Sequence, residues 1–195
     1  MNIINNKWKE YITTISSQGH ASSLEQSQYL FNYLKTHMPE YVVDMGSGFS
    51  SFVTRYYKKE FNPDAIVYSV DDNLSWLKKT EQYLIKENLP TDNLVLFDDF
   101  KNTDIKFDAI LYDLGRIPTR IKYIEFPATI AKSGATILYD DIHFDKAYSN
   151  KCKIFDTPYL QDAFFDYAKK NNLQWDKLTE TYDVYGRYCV KVVIL

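Results

Sequence analysis

The chain alternates short apolar runs with longer segments whose apolar residues recur at helical spacing. Five short runs have the length of buried strands, and each of them ends in an acidic residue. With their closing acids, these predicted strands cover 41–44, 65–71, 93–98, 107–113 and 135–141. The helical spacing predicts helices at 7–15, 23–36, 51–60, 74–88, 120–132 and 159–171.

The order of these elements predicts the fold class. Strands that alternate with helices favour an α/β fold with a doubly wound, mostly parallel sheet. Two closing strands, 175–181 and 188–195, are joined by a short loop, which favours a C-terminal antiparallel hairpin. Residues 132–134 (Lys-Ser-Gly) are interpreted as a helix end with a glycine cap. The 195 residues are expected to form one structural domain, in which the helices of 1–40 pack on the core or cap the site that 41–195 provides.

The segment after the first strand has the pattern of a ligand-binding turn. Gly46 and Gly48 have no Cβ, so the backbone can turn tightly there and approach a ligand closely. The helix that follows presents unpaired N–H groups, which favour an anionic group. A dinucleotide fingerprint has glycine where this chain has Ser51, and Asp44 would repel a pyrophosphate. A ligand with both an ammonium and a carboxylate group fits better, and a turn without any ligand is the alternative.

The pattern D-x-G-x-G, which begins at Asp44, resembles the first motif of the class I S-adenosylmethionine-dependent methyltransferases, which have a Rossmann-like fold. The resemblance spans roughly 41–195. It implies that Asp71 binds the ribose hydroxyls and that Asp99 lies near the adenine, although Asp71 or Asp72 is alternatively a helix N-cap. The predicted cofactor-binding residues are Asp44, Gly46, Ser47, Gly48, Ser50, Ser51, Asp71, Asp72, Asp99 and Asp113.

Three acids, Asp113, Asp140 and Asp141, close the fourth and fifth predicted strands. Because the carboxyl ends of parallel strands share one edge of a sheet, these acids are expected to lie together. The arrangement resembles the small-molecule O-methyltransferases that bind magnesium. That resemblance implies a Mg²⁺ site at Asp113, Asp140 and Asp141, where the ion would lower the pKa of a substrate hydroxyl.

The catalytic residues are predicted to be Asp113, Asp141 and His143. Without a metal, a carboxylate or His143 would act as the general base, since histidine titrates near neutral pH. Asp113 alternatively binds the amino group of the cofactor. Arg116 and Arg120 would suit an acidic substrate, but a solvated helix start is the favoured interpretation. The segment 142–158 is interpreted as a lid over the substrate.

Composition narrows the class of partner. A net charge of −3 without a basic stripe disfavours nucleic acid. At 113–116 the chain has Asp-Leu-Gly-Arg, where nucleic-acid amino-methyltransferases carry the motif D/N-P-P-Y/F, so methylation of a base is not expected. Two cysteines are too few for a disulfide framework and favour a cytoplasmic location. The sequence shows neither a signal-peptide core nor a membrane span.

Together these features predict an S-adenosylmethionine-dependent methyltransferase (EC 2.1.1.-) that acts on a small molecule, at oxygen, with magnesium assistance left open. The expected partner is the small-molecule substrate, and neither nucleic acid nor a membrane is expected. The sequence does not define the oligomeric state. Two alternatives stay open, a non-catalytic cofactor-binding or scaffold protein of the same fold and an NAD-dependent oxidoreductase.

Overall fold

The computed structural model describes residues 3–143 and 160–195, except for the side chain of His143. Its helices are α1 (Ile3–Thr14), α2 (Leu24–His37), α3 (Phe49–Glu60), α4 (Leu74–Lys86), α5 (Phe97–Phe100), α6 (Ile117–Lys122), α7 (Phe126–Thr129) and α8 (Leu160–Lys170). Its strands are β1 (Tyr41–Met45), β2 (Ile66–Asp71), β3 (Leu94–Leu96), β4 (Phe107–Tyr112), β5 (Ala131–His143), β6 (Trp175–Leu178) and β7 (Arg187–Val193).

These strands form a single sheet in the order β3-β2-β1-β4-β5-β7-β6. The first five strands along the chain pair in parallel, with β1 between β2 and β4. Strand β7 runs antiparallel to both β5 and β6. The predicted doubly wound, mostly parallel sheet with a C-terminal antiparallel hairpin is therefore confirmed. The direction of sheet growth reverses between β1 and β4, and open α/β sheets bind ligands at such a switch point.

The helix predicted at 120–132 is wrong. Two short helices, α6 and α7, replace it, and each has a proline in its first turn, Pro118 and Pro127. Pro127 has no backbone N–H and its ring clashes with the preceding turn, so a helix that includes Arg120 cannot continue through it. The chain therefore turns between α6 and α7, and α6 lies beside the end of β4, where Arg120 contacts Tyr112 and Asp113.

The glycine cap predicted at 132–134 is also wrong, because these residues belong to β5. Gly134 has a φ of +80° and its N–H donates to the carbonyl of Ile194 at 2.7 Å. The register of β4 against β5 shifts along this stretch. An irregular stretch of a strand often requires a positive φ, which glycine adopts without steric cost.

Hydrophobic clusters cover both faces of the sheet. On one face, Trp8 and Tyr11 of α1 and Leu34 of α2 join Val42 of β1 and Phe52 of α3. On the other face, side chains of α5 to α8 pack against the alternate residues of the same strands. The N-terminal helices thus contribute to the core, while the division of the chain at residue 40 stays a prediction. Within the described residues, no helix has both the length and the apolar composition needed to cross a membrane.

We expect Phe52→Ala to lower the free energy of unfolding by about 3–5 kcal/mol, because removing a large buried ring leaves a cavity. Phe52 is 2% exposed, and its ring centroid lies 5.3 Å from that of Phe49 and 5.9 Å from that of Tyr83. Urea unfolding measures the loss. The control Ile85→Ala, at a side chain that is 62% exposed, should change stability by less than about 0.5 kcal/mol. Similar losses in both variants would contradict the described core.

Candidate functional site

A cleft of about 530 Å³ opens at the carboxyl ends of β1, β2 and β4. Volumes of this order are usual for small-molecule sites. Four segments line the cleft, namely the loop before α2, the turn after β1, the start of α4, and the loop after β4 with α6. The lining residues are His20, Gly46, Ser47, Asp71, Asp72, Asn73, Trp76, Asp113, Gly115, Arg116, Thr119 and Arg120.

Gly46 lies where the ends of three strands meet. Its φ is +110°, which residues with a side chain rarely adopt. A Cβ on Gly46 would lie only 2.2 Å from the backbone oxygen of Asp113. The N–H of Gly46 donates to Val70 at 2.7 Å, and the N–H of Asp113 donates to Met45 at 2.6 Å. Glycine at this position therefore keeps β1 and β4 close together and the floor of the cleft open.

Asp71 holds the turn that follows Gly46. Its Oδ2 accepts hydrogen bonds from both the backbone N–H and the hydroxyl of Ser47, each at 2.8 Å, and its Oδ1 accepts from the N–H of Asn73 at 2.9 Å. The indole N–H of Trp76 donates to the Ser47 carbonyl at 2.6 Å. Burial raises the pKa of Asp71, and the hydrogen bonds from Ser47 and Asn73 oppose that rise. Asp71 thus organises one wall of the cleft, while its contact with a ribose stays a prediction.

Asp44 lies behind the turn, outside the set of residues that line the cleft. It is fully buried, and its Oδ2 accepts from the hydroxyl of Ser51 at 2.6 Å and from that of Ser69 at 3.3 Å. Arg55, also fully buried, donates to Ser69 at 2.6 Å. Burial raises the pKa of Asp44 to about 6, although Ser51, Ser50 and the Arg55 charge oppose the rise. In this position Asp44 links α3 to the sheet. Its direct contact with a cofactor stays a prediction.

Gly48, Ser50 and Ser51 form the start of α3 and are likewise absent from the cleft lining. The N–H of Gly48 donates to the hydroxyl of Ser51 at 3.1 Å, which caps the helix. The hydroxyl of Ser50 donates to the carbonyl of Gly46 at 3.4 Å. Both serine side chains are buried. These residues therefore stabilise the turn from inside the protein and not from the cleft. Their direct contact with a cofactor stays a prediction.

Three predicted cofactor residues remain, of which Asp113 lines the cleft, while Asp72 and Asp99 differ from each other in position. Asp72 is exposed at the cleft, and its carboxylate lies directly against Gly115, since a Cβ on Gly115 would come within 2.2 Å of Oδ2. The N-cap of α4 is Asn73, whose side chain accepts from the N–H of Trp76 at 3.1 Å, and neither aspartate takes that role. Asp99 is exposed on α5 and does not line the cleft, because β3 ends at Leu96 and the next residues are helical.

Asp113, Asp140 and Asp141, which we call the acidic cluster, come together as the sequence predicts. Each offers a carboxylate oxygen, and these oxygens lie within 4.8 Å of one another. Burial raises the pKa of Asp140 to about 6, together with the charge of Asp141, and burial raises the pKa of Asp113 well above its usual range. The Cys189 thiol donates to Asp140 at 3.4 Å. The donor atoms suit a hard cation such as Mg²⁺.

Two arginines are paired with this acidic cluster. Arg120 forms ion pairs with Asp113 and, at 2.7 Å, with Asp141, and Arg187 lies 3.4 Å from Asp141. Arg187 is held in turn by Asp183 at 2.7 Å. The interpretation of Arg120 as part of a solvated helix start is wrong, because Arg120 is only 8% exposed. Its side-chain partners lie in the segment that follows β4 and in β5, so no local sequence signal identifies it.

His143 ends β5, where its backbone pairs with that of Arg187. Its side chain lies outside the described residues, as does the predicted lid from residue 144 onward. The structure adds His20 to the site, which the sequence pattern did not single out. His20 lines the cleft from the loop before α2, and its Nδ1 shares a hydrogen bond with Ser17 at 2.8 Å. This loop is far in sequence from the motifs of the cleft, so no sequence pattern connects His20 with them.

No protein-family model matches this sequence, and no curated protein sequence matches it. The structure is similar to that of an O-methyltransferase from Bacillus cereus in complex with S-adenosylhomocysteine, with a TM-score of 0.76, 14% identity, and coverage of 100% of this chain and 92% of the other. It is also similar to the O-methyltransferase TomG of Streptomyces achromogenes, which is involved in tomaymycin synthesis and was crystallised with S-adenosylmethionine (TM-score 0.70, 12% identity, coverage 100% and 90%). The chain therefore has the Rossmann-like fold of class I methyltransferases, as predicted.

The close contact of Gly46 with Asp113 predicts how much stability is lost when a methyl group is added at Gly46. We expect Gly46→Ala to destabilise the protein more than Gly134→Ala, because only Gly46 has backbone atoms in the space that the new Cβ would fill. Gly134 is a matched control, since its φ is also positive but nothing lies within 4 Å of an added Cβ. Gly134→Ala should therefore cost only the conformational strain, about 1–2 kcal/mol. Equal losses in urea unfolding would show that the contact with Asp113 is unimportant.

The buried carboxyl of Asp44 predicts a pH dependence. Its folded-state pKa of about 6 lies above the ordinary value of 3.8, so the folded state retains the proton that the unfolded state loses. Folding stability due to Asp44 is therefore greatest below pH 4 and falls as the pH rises to about 6. Asp44→Asn removes this loss, so its stability relative to the wild type should increase by about 2 kcal/mol between pH 4 and pH 7.

Urea unfolding at several pH values measures this difference between the variant and the wild type. Asp64→Asn, at an exposed position, controls for the change in net charge. A constant difference between Asp44→Asn and the wild type across the range would contradict a raised pKa.

Proposed function

We propose that the chain is an S-adenosylmethionine-dependent methyltransferase that acts on a small molecule at an oxygen atom. The observation that carries the proposal is the cleft at the switch point of the sheet, where the turn at Gly46 leaves space for a ligand between Asp71 and Asp113. Two structural neighbours with the same fold hold S-adenosylmethionine or S-adenosylhomocysteine. Their identity to this chain is low, so the support from residues of the cleft itself is essential.

The cleft residues fit this cofactor chemically. S-adenosylmethionine has an ammonium group, a positively charged sulfur and a ribose with two adjacent hydroxyls. Asp113 offers a carboxylate to a cationic group beside the turn, while Asp71 and Asp72 offer acceptors to hydroxyls on the other side. Trp76 adds an aromatic side chain to the wall near these acids. Once bound, the cofactor supplies a methyl group on sulfur that an oxygen nucleophile can attack.

The protein's part in the reaction is to place the acceptor oxygen and remove its proton. Asp113 lies in the cleft, where burial raises the pKa of its carboxyl well above its usual range although the Arg120 charge opposes the rise, and we assign it the removal of the acceptor's proton. Asp141 is paired with two arginines, which suits it to orienting them rather than to accepting a proton. His143 stays a prediction as an alternative base.

The two alternatives have less support. A scaffold protein has no need of an open cleft, whereas here Asp113, Asp71 and the glycine turn surround a space of about 530 Å³. An NAD-dependent oxidoreductase would place a pyrophosphate at the turn, where this chain presents acidic side chains from β2 and β4. A small-molecule substrate is consistent with a cleft of this size. The cytoplasmic location stays a prediction.

We expect calorimetry to show binding of S-adenosylhomocysteine and no binding of NAD. Gly48→Leu should weaken this binding strongly, since its side chain would push against Trp76, which lines the cleft and lies 3.7 Å from an added Cβ at Gly48. Gly134→Leu is the control, because Gly134 is remote from the cleft lining. A panel of phenols, catechols and carboxylic acids with S-adenosylmethionine then tests transfer to oxygen. Tight binding of NAD alone would replace this proposal by the oxidoreductase.

A further inference from the structure

We propose that Arg120 is the permanent counter-cation of the acidic cluster, so that this chain needs no divalent metal ion to bind and orient its acceptor oxygen. The inference rests on the proposed methyl transfer but concerns a separate property, the cation requirement. The implied magnesium site is thus occupied by a side chain of the protein itself.

The guanidinium group of Arg120 bridges the two sides of the acidic cluster. One terminal nitrogen pairs with Asp113 at the end of β4, and the other pairs with Asp141 of β5 at 2.7 Å. The nitrogen that faces Asp113 also donates to the carbonyl of Gly115 at 3.2 Å. The backbone of Arg120 is anchored as well, since the hydroxyl of Tyr112 donates to its carbonyl at 2.8 Å. These contacts fix Arg120 between the carboxylates that a metal ion would have to bind.

The balance of charge argues against an additional dication. Asp113 and Asp141 already have guanidinium groups as ion-pair partners, Arg120 for both and Arg187 for Asp141. A guanidinium group cannot be deprotonated in proteins, so Arg120 keeps its positive charge. A divalent ion bound to the same oxygens would lie beside a fixed positive charge in a partly buried site, where repulsion is weakly screened.

Displacing Arg120 would also be costly. Its side chain is only 9% exposed, and its departure would remove the ion-pair partner of Asp113 and one of the two arginine partners of Asp141. Arg187 cannot replace it easily, because its Nε is held by Asp183 at 2.7 Å. Both arginines are thus held in place by other parts of the fold.

The position of Arg120 gives it a direct role toward the acceptor. Arg120 lines the cleft, and a guanidinium group has five N–H donors. Arg120 donates one hydrogen bond to Asp141 and one to Gly115, and Asp113 is its ion-pair partner. A remaining donor can hold an anionic or readily ionised oxygen of the substrate, such as a phenolate or a carboxylate. The charge-assisted hydrogen bond would do what a metal ion does for an oxygen ligand, which is to stabilise its negative charge.

A thermal-shift experiment with S-adenosylhomocysteine bound tests the cation requirement without relying on activity. For the wild type we expect the same Tm with MgCl₂, with MnCl₂ and with EDTA. In Arg120→Met the acidic cluster loses the positive charge of Arg120, so a divalent ion can bind there. We therefore expect the Tm of this variant to rise when Mg²⁺ or Mn²⁺ is added, by mass action. Lys122→Met removes a charge from an exposed position of the same helix and should behave like the wild type.

Arg120→Lys, which keeps a positive charge, should also lack the metal-dependent rise. A Tm of the wild type that rises with Mg²⁺ and falls with EDTA would overturn the inference, as would an Arg120→Met variant that folds but gains no response to metal. Should Arg120→Met not fold, calorimetric titration of the wild type with Mn²⁺ decides the question, because measurable binding at the site contradicts the inference and its absence supports it.

The outcomes for the two proposals are distinct. Failure of S-adenosylhomocysteine to bind would refute the methyltransferase and leave the metal response to be judged on the free protein. Binding of S-adenosylhomocysteine with a metal-dependent Tm would keep the methyltransferase and refute the role of Arg120. Methyl transfer that continues at an unchanged rate in EDTA, once an acceptor is found, would support both.

Discussion

At the centre of the sheet the backbone of Gly46 lies against the carbonyl of Asp113, so closely that a Cβ on Gly46 would come within 2.2 Å of it. This contact ties the end of β1 to the end of β4 at the place where the strand order reverses. The turn that follows can then reach Asp71 at the end of β2, whose carboxylate holds both the backbone and the hydroxyl of Ser47. The cleft depends on this arrangement, because its floor and one wall are built from it.

The acidic residues at this edge of the sheet are stabilised in two different ways. Asp44 and Asp71 are buried and accept hydrogen bonds from hydroxyl and backbone N–H groups, so they serve as parts of the scaffold. The acidic cluster is instead compensated by the two arginines, and one of its members, Asp113, lines the cleft. The acids at the strand ends are equivalent in sequence but differ in role. Asp44 and Asp71 stabilise the glycine turn, whereas the acidic cluster pairs with arginines.

The fold is shared with methyltransferases that have only 12–14% of their residues in common with this chain. At that distance the fold alone does not determine the reaction. What characterises this chain is the distribution of charge in the cleft, with carboxylates near the glycine turn and guanidinium groups on the side of α6. A cationic cofactor and an acceptor that ends in an anionic oxygen would complement these two sides respectively.

Sequence alone determined the fold class and the edge of the sheet at which the site lies. Both follow from local patterns, because apolar spacing defines strands and helices, and parallel strands necessarily bring their carboxyl ends together. The break between α6 and α7 was also present in the sequence, at Pro127, although the helical spacing around it suggested a continuous helix. Here the missing backbone N–H of one residue outweighed the apolar periodicity of its neighbours.

Only the tertiary structure decided the roles of the charged residues. Asp44 became a buried organiser because Ser69 and Arg55, which lie far from it in sequence, pack against it. Arg120 became part of the site because α6 folds back beside the ends of β4 and β5, and its partner Asp141 is 21 residues further along the chain. Electrostatic energy depends on distance in space and on burial, and neither quantity can be read from sequence separation before the elements are packed together.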